Sequence, residues 1–349
     1  MKKIHKTILA ILLLIQGTFS AQAQTLNSPE SSQQATVTQR IGLTDMRVTY
    51  HSPLAKNRMI WGEIVPYDSV WRAGANENTI ISFSTDVKIE NQTLAAGSYG
   101  LHMIPGKNEW TIIFSKNSSS WGSFFYDPSE DALRVKTSAS TVDYQDWLSY
   151  QFTSIQPASA NVTLRWDKIS VSFKVEVDVN EIVFKSMKEE LRGSDGFTWE
   201  APLQAARFCL TKNIHLDQGR KWVELSVRTQ ENSNNLLTLA KYLNKEGKTG
   251  EAVTTKERAI ILANEAELNA YGYSLLLTDK NISEAIEMFS LNVKRHPDSW
   301  NVYDSLGEAH DANKNKKDAL KNYQIALSKA PVDQHPRIQQ IIKTIESRQ

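Results

Sequence analysis

The sequence predicts an α+β chain in two separate domains, an antiparallel β-sandwich of jelly-roll-like type followed by an array of α-helical hairpins. Three observations carry this expectation. A two-residue hydrophobic alternation recurs through the first half, helical periodicity replaces it after Asn180, and the C-terminal half repeats itself at intervals of 33 to 34 residues. At 349 residues the chain has room for two domains of ordinary size.

A segment of another kind precedes both domains. Lys2, Lys3 and Lys6 form a basic stretch, Ile8 to Ile15 an apolar run, and Ala21-Gln22-Ala23 a small-residue site with A-x-A spacing. This is the pattern of a cleavable export signal, and its apolar run is far shorter than the roughly 20 residues a bilayer span requires. The expectation is cleavage after Ala23, which removes residues 1–23 and leaves a periplasmic or secreted chain with no membrane span. Residues 24–36 are polar and aperiodic, as in a flexible leader.

The β-domain is expected over 37–180. Met46, Val48 and Tyr50 alternate with polar neighbours, as do Val87 and Ile89, then Tyr99, Leu101 and Met103, then Trp110, Ile112 and Phe114. The longest alternation runs Ile169, Val171, Phe173, Val175, Val177, Val179. Such a pattern puts one face on a core and the other in water, as antiparallel sheets do. Turn residues separate the runs at Ala96-Gly97, Pro105-Gly106-Lys107-Asn108 and Asn117 to Ser120.

Residues 181–349 are expected to be helical. Phe184, Met187 and Leu191 open the period, and the last unit then places Leu306-Gly307, Ala319, Tyr323, Ala326 and Pro331 at the mutual spacings of a tetratricopeptide repeat. Ala285, Phe289 and Pro297 precede three of these by 34 residues, while Ala252 and Gly219 continue the series upstream at intervals of 33. Small residues allow the second helix of a hairpin to cross the first closely, and the aromatic four residues on fills the gap between hairpins. Lys256 and Val223 stand at the aromatic position of the two upstream units, which are therefore degenerate. A final helix over about 334–348 would cap the stack.

Composition excludes several function classes. Lys+Arg 40 against Asp+Glu 39, interspersed, leaves no basic stripe for a nucleic acid. Cys209 is the single cysteine, so no disulfide forms within the chain, and its flanks Ala206, Phe208 and Leu210 suggest a buried small hydrophobe. Gly247-Lys248-Thr249 resembles the end of a phosphate loop, but Tyr242 stands where the first Gly belongs, so a hairpin turn is the better reading. Asp311, Asn313 and Asn315 open like a calcium loop, yet Lys316 and Asn322 replace its Gly and Glu. Neither H-E-x-x-H nor G-x-S-x-G occurs.

One block in the β-domain is richer than a sheet requires. Trp61-Gly62-Glu63 and Val65-Pro66-Tyr67-Asp68-Ser69-Val70-Trp71-Arg72-Ala73-Gly74-Ala75-Asn76-Glu77 concentrate residue types that anchor ligands through stacking and bidentate hydrogen bonds. Trp61, Trp71, Arg72, Asn76 and Glu77 are the candidate ligand residues. Arg72 and Glu77 could instead pair with each other and pin the loop. An enzyme reading would set Arg72 on an anion with Glu77 or His102 as general acid/base.

Together with Val37 to Gly42, Ala96 to Tyr99, Ile104-Pro105-Gly106, Trp110 to Phe114 and Trp121-Gly122, this block resembles a family of exported bacterial proteins catalogued as a domain of unknown function, number twenty-nine eleven in that series. The resemblance covers about residues 28–178. It implies a β-sandwich, an exported address and often a tetratricopeptide-like tail, and no established activity or catalytic residue.

No cofactor and no metal is expected. His51 and His102, the two histidines of the β-domain, could hold an ion with Glu63 or Glu77 if their strands were neighbours, but the parity of His102 against Leu101 and Met103 points it to solvent. Six of the nine tryptophans lie between Trp61 and Trp166. Trp110 and Trp166 fit core parity, whereas Trp61, Trp71 and Trp121 lie at strand ends or loops, where exposed rings stack on sugars. The expected role is a non-catalytic binding protein of the cell envelope, taking a protein or peptide in the helical array and a small-molecule or glycan ligand at the β-domain.

Overall fold

The computed structural model describes residues 29–348. The expected signal segment, its cleavage site and the first residues of the leader lie outside the described residues. The chain divides after Val179 into a β-unit and a helical unit.

Among the described residues the β-unit holds ten strands, all antiparallel to their partners: β1 Gln33–Ile41, β2 Thr44–Ser52, β3 Ile80–Phe83, β4 Val87–Ile89, β5 Gln92–Leu94, β6 Gly97–Ile104, β7 Trp110–Ser115, β8 Asp131–Thr137, β9 Ala139–Gln156 and β10 Ser159–Glu176. One sheet has the order β1-β2-β3-β6-β7-β8 and the other β5-β4-β10-β9. The first is a meander from which β4 and β5 branch into the second. Glu90 and Asn91, with φ of 46° and 67°, make the tight turn that joins them. The alternating positions become the core between the sheets: Met46, Val48, Ile81, Leu101, Ile112, Phe114, Phe173 and Val175 are buried. Tyr50 meets Tyr150 edge-on at 4.9 Å, and Phe114 meets Phe173 at 5.4 Å, so rings from both sheets interlock.

Three expectations are corrected. Strand β1 begins at Gln33, so residues 33–36 of the expected leader are paired, Gln33 opposite Ser52 and Thr36 opposite Thr49. As an edge strand with one wet face, it carries too few apolar residues to show the alternation. Strand β10 stops at Glu176, and Val179 opens a helix. His102 is 2% exposed, because the segment after β7 covers the face of β6 that parity assigned to water.

The helical unit runs α1 Val179–Glu190, α2 Glu200–Lys212, α3 Leu216–Thr229, α4 Ser233–Lys245, α5 Thr249–Leu262, α6 Glu265–Tyr273, α7 Ile282–Arg295, α8 Trp300–Ala312, α9 Lys316–Lys329 and α10 His335–Ser347, with a π-turn Ser274–Thr278 extending α6. From α2 onward they pair as consecutive hairpins, with α10 packed on α9 as a cap. Asparagines start many of them. Asn232 and Asn264 form reciprocal capping boxes, while Asn281 and Asn315 accept from the backbone three residues on.

The repeat positions behave as close-packing sites. Ala252, Ala285 and Ala319 are buried, and a Cβ on Gly219 would overlap the Tyr242 hydroxyl and lie 2.8 Å from Cys209 Cβ. The aromatic position does more than bridge hairpins. Phe289 packs on Gly272 and Tyr323 on Gly307, each glycine lying on the first helix of the same hairpin, and Phe289 also joins a cluster with Leu306 and Ala309 of the next. The Gly247-Lys248-Thr249 segment is the turn into α5, as expected. Among the described residues no helix is long and apolar enough to cross a membrane.

A Cβ at position 272 would lie 2.5 Å from the buried Phe289 ring. Gly272→Ala should therefore destabilise the helical unit by about 1–2 kcal/mol despite alanine's better helix propensity, and Phe289→Ala by about 3–5 kcal/mol. Urea unfolding followed by far-ultraviolet circular dichroism measures both.

Candidate functional site

The segment between β2 and β3 is long, yet the edge of β6 holds it. Strand β6 pairs with β3 over Gly97 to Gly100, and the rest of that edge is taken by this segment. Trp71 and Met103 exchange two backbone hydrogen bonds of 2.8 Å, Asp68 N–H donates to Pro105 O, and Leu101 N–H donates to Thr79 O. Ala73 and Asn76 sit in the left-handed region, with φ of 53° and 52°. Ala73 is locked there because its carbonyl accepts from Tyr150 Oη at 2.8 Å and from Thr79 Oγ1 at 3.1 Å.

Beneath the segment lies a tryptophan cluster. Trp61 meets Trp110, Trp71 and Trp166 edge-on at 5.0, 5.8 and 5.8 Å, and Trp71 stacks on Trp166 at 5.9 Å. Trp110 and Trp166 are buried, as parity required. A cleft of about 590 Å³ opens over the cluster, lined by Trp71, Arg72, Asn76, Trp121 and Trp166, with Lys56 and Arg58 also on its wall. Trp61 does not line it and serves as packing under its floor.

Arg72 is the cation of the cleft. Its Nη1 donates to Asn76 O at 2.5 Å, and its guanidinium lies 5.2 Å from the Trp121 ring centre and 5.4 Å from that of Phe124. Gly122, at φ 62°, permits this approach, since a Cβ there would fall 2.6 Å from Arg72 Cζ. Among the described residues no carboxylate pairs with Arg72, so the expected Arg72–Glu77 bridge is not formed. Burial lowers the Arg72 pKa from its ordinary value, as desolvation of an unpaired cation must. Trp121 and Phe124 are nearly parallel, 12° between planes at 5.7 Å, and are 53% and 72% exposed. Arg58, by contrast, is engaged with the carbonyls of Leu54 and Ala55 at 2.6 and 3.0 Å.

The remaining expected residues go elsewhere. Glu77 turns to His51, whose Nε2 lies 3.2 Å away. Asn76 links both places, because its carbonyl accepts from Arg72 and its side-chain amide donates to Glu30 at 2.6 Å. His51 and His102 do not share a site, since β3 separates β2 from β6. Glu63 is exposed and joins neither histidine.

His102 Nδ1 lies 3.0 Å from Ser123 Oγ, and its ring is 5.2 Å from Tyr126, which donates to Asp131 while receiving from Arg134. Arg72, Glu77 and His102 are thus engaged with three different sets of partners and do not converge as a catalytic group. The alternative of Glu77 and His102 as acid and base is not assembled. Sequence reading missed Glu30 and Phe124 as companions of the block, set Trp166 apart as core, and weighed His51 with Glu77 only in an ion site shared with His102. The exposed aromatics of Trp121 to Phe125 were its one visible signal.

The helical unit has a site of its own. A groove of about 300 Å³ is lined by Arg207, Leu210 and Thr211 of α2, by Asn234, Leu237, Thr238 and Lys241 of α4, and by Glu267, Ala270 and Tyr271 of α6, joined by Ser274. It thus draws on the first helices of three successive hairpins. Arg207 donates to Thr238 Oγ1 and Asn234, and Asn234 donates to Glu267 at 3.1 Å, a polar ladder that crosses the hairpins. Cys209 is buried behind this wall, its thiol pushed up to about 11 by desolvation, as suits a packing residue.

Burial pushes the His102 pKa down from 6.5 to about 4; nearby Asp131 opposes this and Arg72 adds to it. Between those values the unfolded chain binds a proton at this site that the folded chain does not. Stability of the β-unit should therefore fall as pH drops from about 6.5 to about 4, by on the order of 3 kcal/mol from this residue. Urea midpoints read by tryptophan fluorescence should show a shallower acid loss in His102→Gln than in the parent.

No curated protein matches the chain. Among solved structures, MamA from Desulfovibrio magneticus RS-1 is 16% identical, covering 44% of this chain and 94% of its own, at a TM-score of 0.26. YrrB, described as a TPR protein with an unusual peptide-binding site, is 18% identical over 47% of this chain and 84% of its own, at 0.29. The C-terminal part of a TPR repeat-containing protein from Cytophaga hutchinsonii is 19% identical over 44% and 64%, also at 0.29. Residues 32–175, within the β-unit, match the model of the family described as Protein of unknown function (DUF2911).

Proposed function

We propose that this is an exported binding protein of the cell envelope, whose helical array holds a peptide or an extended segment of a protein partner. The observation that carries the reading is the groove along α2, α4 and α6. It offers apolar footholds at Leu210, Leu237 and Tyr271 beside Arg207, Lys241 and Glu267. A surface built from successive first helices repeats at the spacing of the hairpins, which suits an extended chain better than a compact small molecule. The export half of the reading rests on Lys2, Lys3, Lys6, the apolar run and Ala21-Gln22-Ala23.

The test is selection of peptides from a random display library on the full chain. Leu237→Glu and Tyr271→Glu should each lower capture of the selected peptides at least ten-fold with unchanged circular dichroism. Capture that survives both substitutions would overturn the reading.

A second reading concerns the β-unit, and Arg72 favours it. A cation without a carboxylate partner, placed against exposed Trp121 and Phe124, suits a ligand that carries both a negative charge and a ring face, such as an acidic sugar. Titration with glucuronate or an aromatic carboxylate should quench tryptophan fluorescence in the parent. Arg72→Ala should lose that response about ten-fold, and Leu237→Glu should keep it.

A further inference from the structure

We propose that Glu30, His51 and Glu77 form a site for a divalent transition-metal ion, with zinc as the best-fitting probe. Three separate segments bring them together. His51 lies on β2, Glu30 precedes β1, and Glu77 follows the left-handed turn at Asn76. Their nitrogen and carboxylate oxygens all lie within 4.8 Å of one another.

The distances fit a coordination shell. His51 Nε2 is 3.2 Å from a Glu77 oxygen and 3.4 Å from a Glu30 oxygen. Ligands of a tetrahedral ion with bonds of about 2.0–2.1 Å are about 3.3 Å apart along each edge. Both nitrogen–oxygen edges are therefore already at the spacing an ion would impose. The third edge joins two carboxylates whose side chains are 54% and 53% exposed, so a rotamer change can close it.

The histidine supplies an independent pointer. His51 is 6% exposed and its Nδ1 is enclosed without a partner, while among the described residues its Nε2 meets only the Glu30 and Glu77 carboxylates. A buried imidazole normally satisfies at least one nitrogen. Here the ring's one set of contacts is at Nε2, which faces two carboxylates at once. Two like charges gathered on one nitrogen repel each other, and a doubly positive ion offsets both at once.

The surroundings are built to hold this arrangement. Asn76 Nδ2 donates to Glu30 Oε2 at 2.6 Å and to Ser32 O at 3.3 Å, which fixes the same carboxylate oxygen that faces His51 Nε2. The ladder Gln34 opposite His51 anchors the segment that carries Glu30. Ala75 N–H donates to His51 O at 3.3 Å, and a Cβ on Gly74 would come 3.2 Å from that oxygen, so the glycine lets the Glu77 turn close on the strand. One imidazole and two carboxylates suit zinc and manganese and leave a coordination position for water or a ligand atom. This inference concerns the β-unit and stands independently of the groove.

The experiment is calorimetric titration of the full chain, stripped with chelator, with Zn²⁺ and separately with Mn²⁺. The parent should take up one equivalent of Zn²⁺, and its β-unit should melt at a higher temperature with the ion than without. Glu30→Gln and Glu77→Gln replace exposed groups with isosteres, so they keep the fold. Each should weaken uptake at least ten-fold and lose the thermal shift. If the parent binds no Zn²⁺ at micromolar concentration, the site does not exist. If the Glu30→Gln/Glu77→Gln double variant binds Zn²⁺ as the parent does, the ion sits on other histidines and the proposal is overturned.

Discussion

The β-unit depends on how the free half of the β6 edge is satisfied. Beyond Gly100 the backbone of β6 has no partner from β3, and an orphaned N–H or C=O in the interior costs about 1–3 kcal/mol. The segment from Asp68 to Thr79 supplies the missing bonds, extended only where Trp71 bridges Met103 and turning away again at Ala73 and Asn76. In extended backbone successive side chains diverge. Trp71 accordingly goes to Trp61 and Trp166, and Arg72 to the loop carrying Trp121 and Phe124. The cleft is a by-product of an edge that had to be covered.

The helical unit rests on a different constraint, the absence of side-chain bulk at helix crossings. Gly272 and Gly307 admit the rings of Phe289 and Tyr323, and Ala285 and Ala319 sit one turn before those rings on the same helices. The same packing leaves the first helices of the hairpins open on one side, where Leu237 and Tyr271 remain partly exposed. The first helices α2, α4 and α6 thus give one face to packing and another to the groove.

Much of this was legible before any coordinates. Alternation at Met46-Val48-Tyr50 and the offsets among Ala285, Ala319, Phe289 and Tyr323 are local signals, and local signals survive folding. The edge strand β1 was not legible, because Gln33, Gln34 and Thr36 gain their pairing from β2 and not from a buried face. The burial of His102 was hidden for a related reason. Parity assigns a side to a residue, but a distant segment, here Ser123 to Tyr126, decides whether that side is wet. Composition marked the block at 61–77 and could not say where each of its side chains would go. Trp71, Arg72 and Asn76 reached the cleft, Trp61 packs beneath it against Trp71 and Trp166, and Glu77 left for His51, which is 26 positions earlier in the chain. The asparagines at 281 and 315, four residues before the repeat alanines, were a readable extra mark of the repeat.

Lys256, which replaces the repeat's aromatic, has a consequence for how the array behaves as a mechanical object. Its ammonium pairs with Glu284 at 2.7 Å, and α5 exposes Val253, Ile261 and Leu262 while burying only Ala252 and Ala259. Neither the apolar cluster of α1 to α4 nor that of α6 to α8 includes a residue of α5. In a stack whose cohesion is a sum over neighbouring joints, the weakest joint sets where the chain gives way. Under load or heating, the array should therefore part first between α5 and the hairpin that follows it.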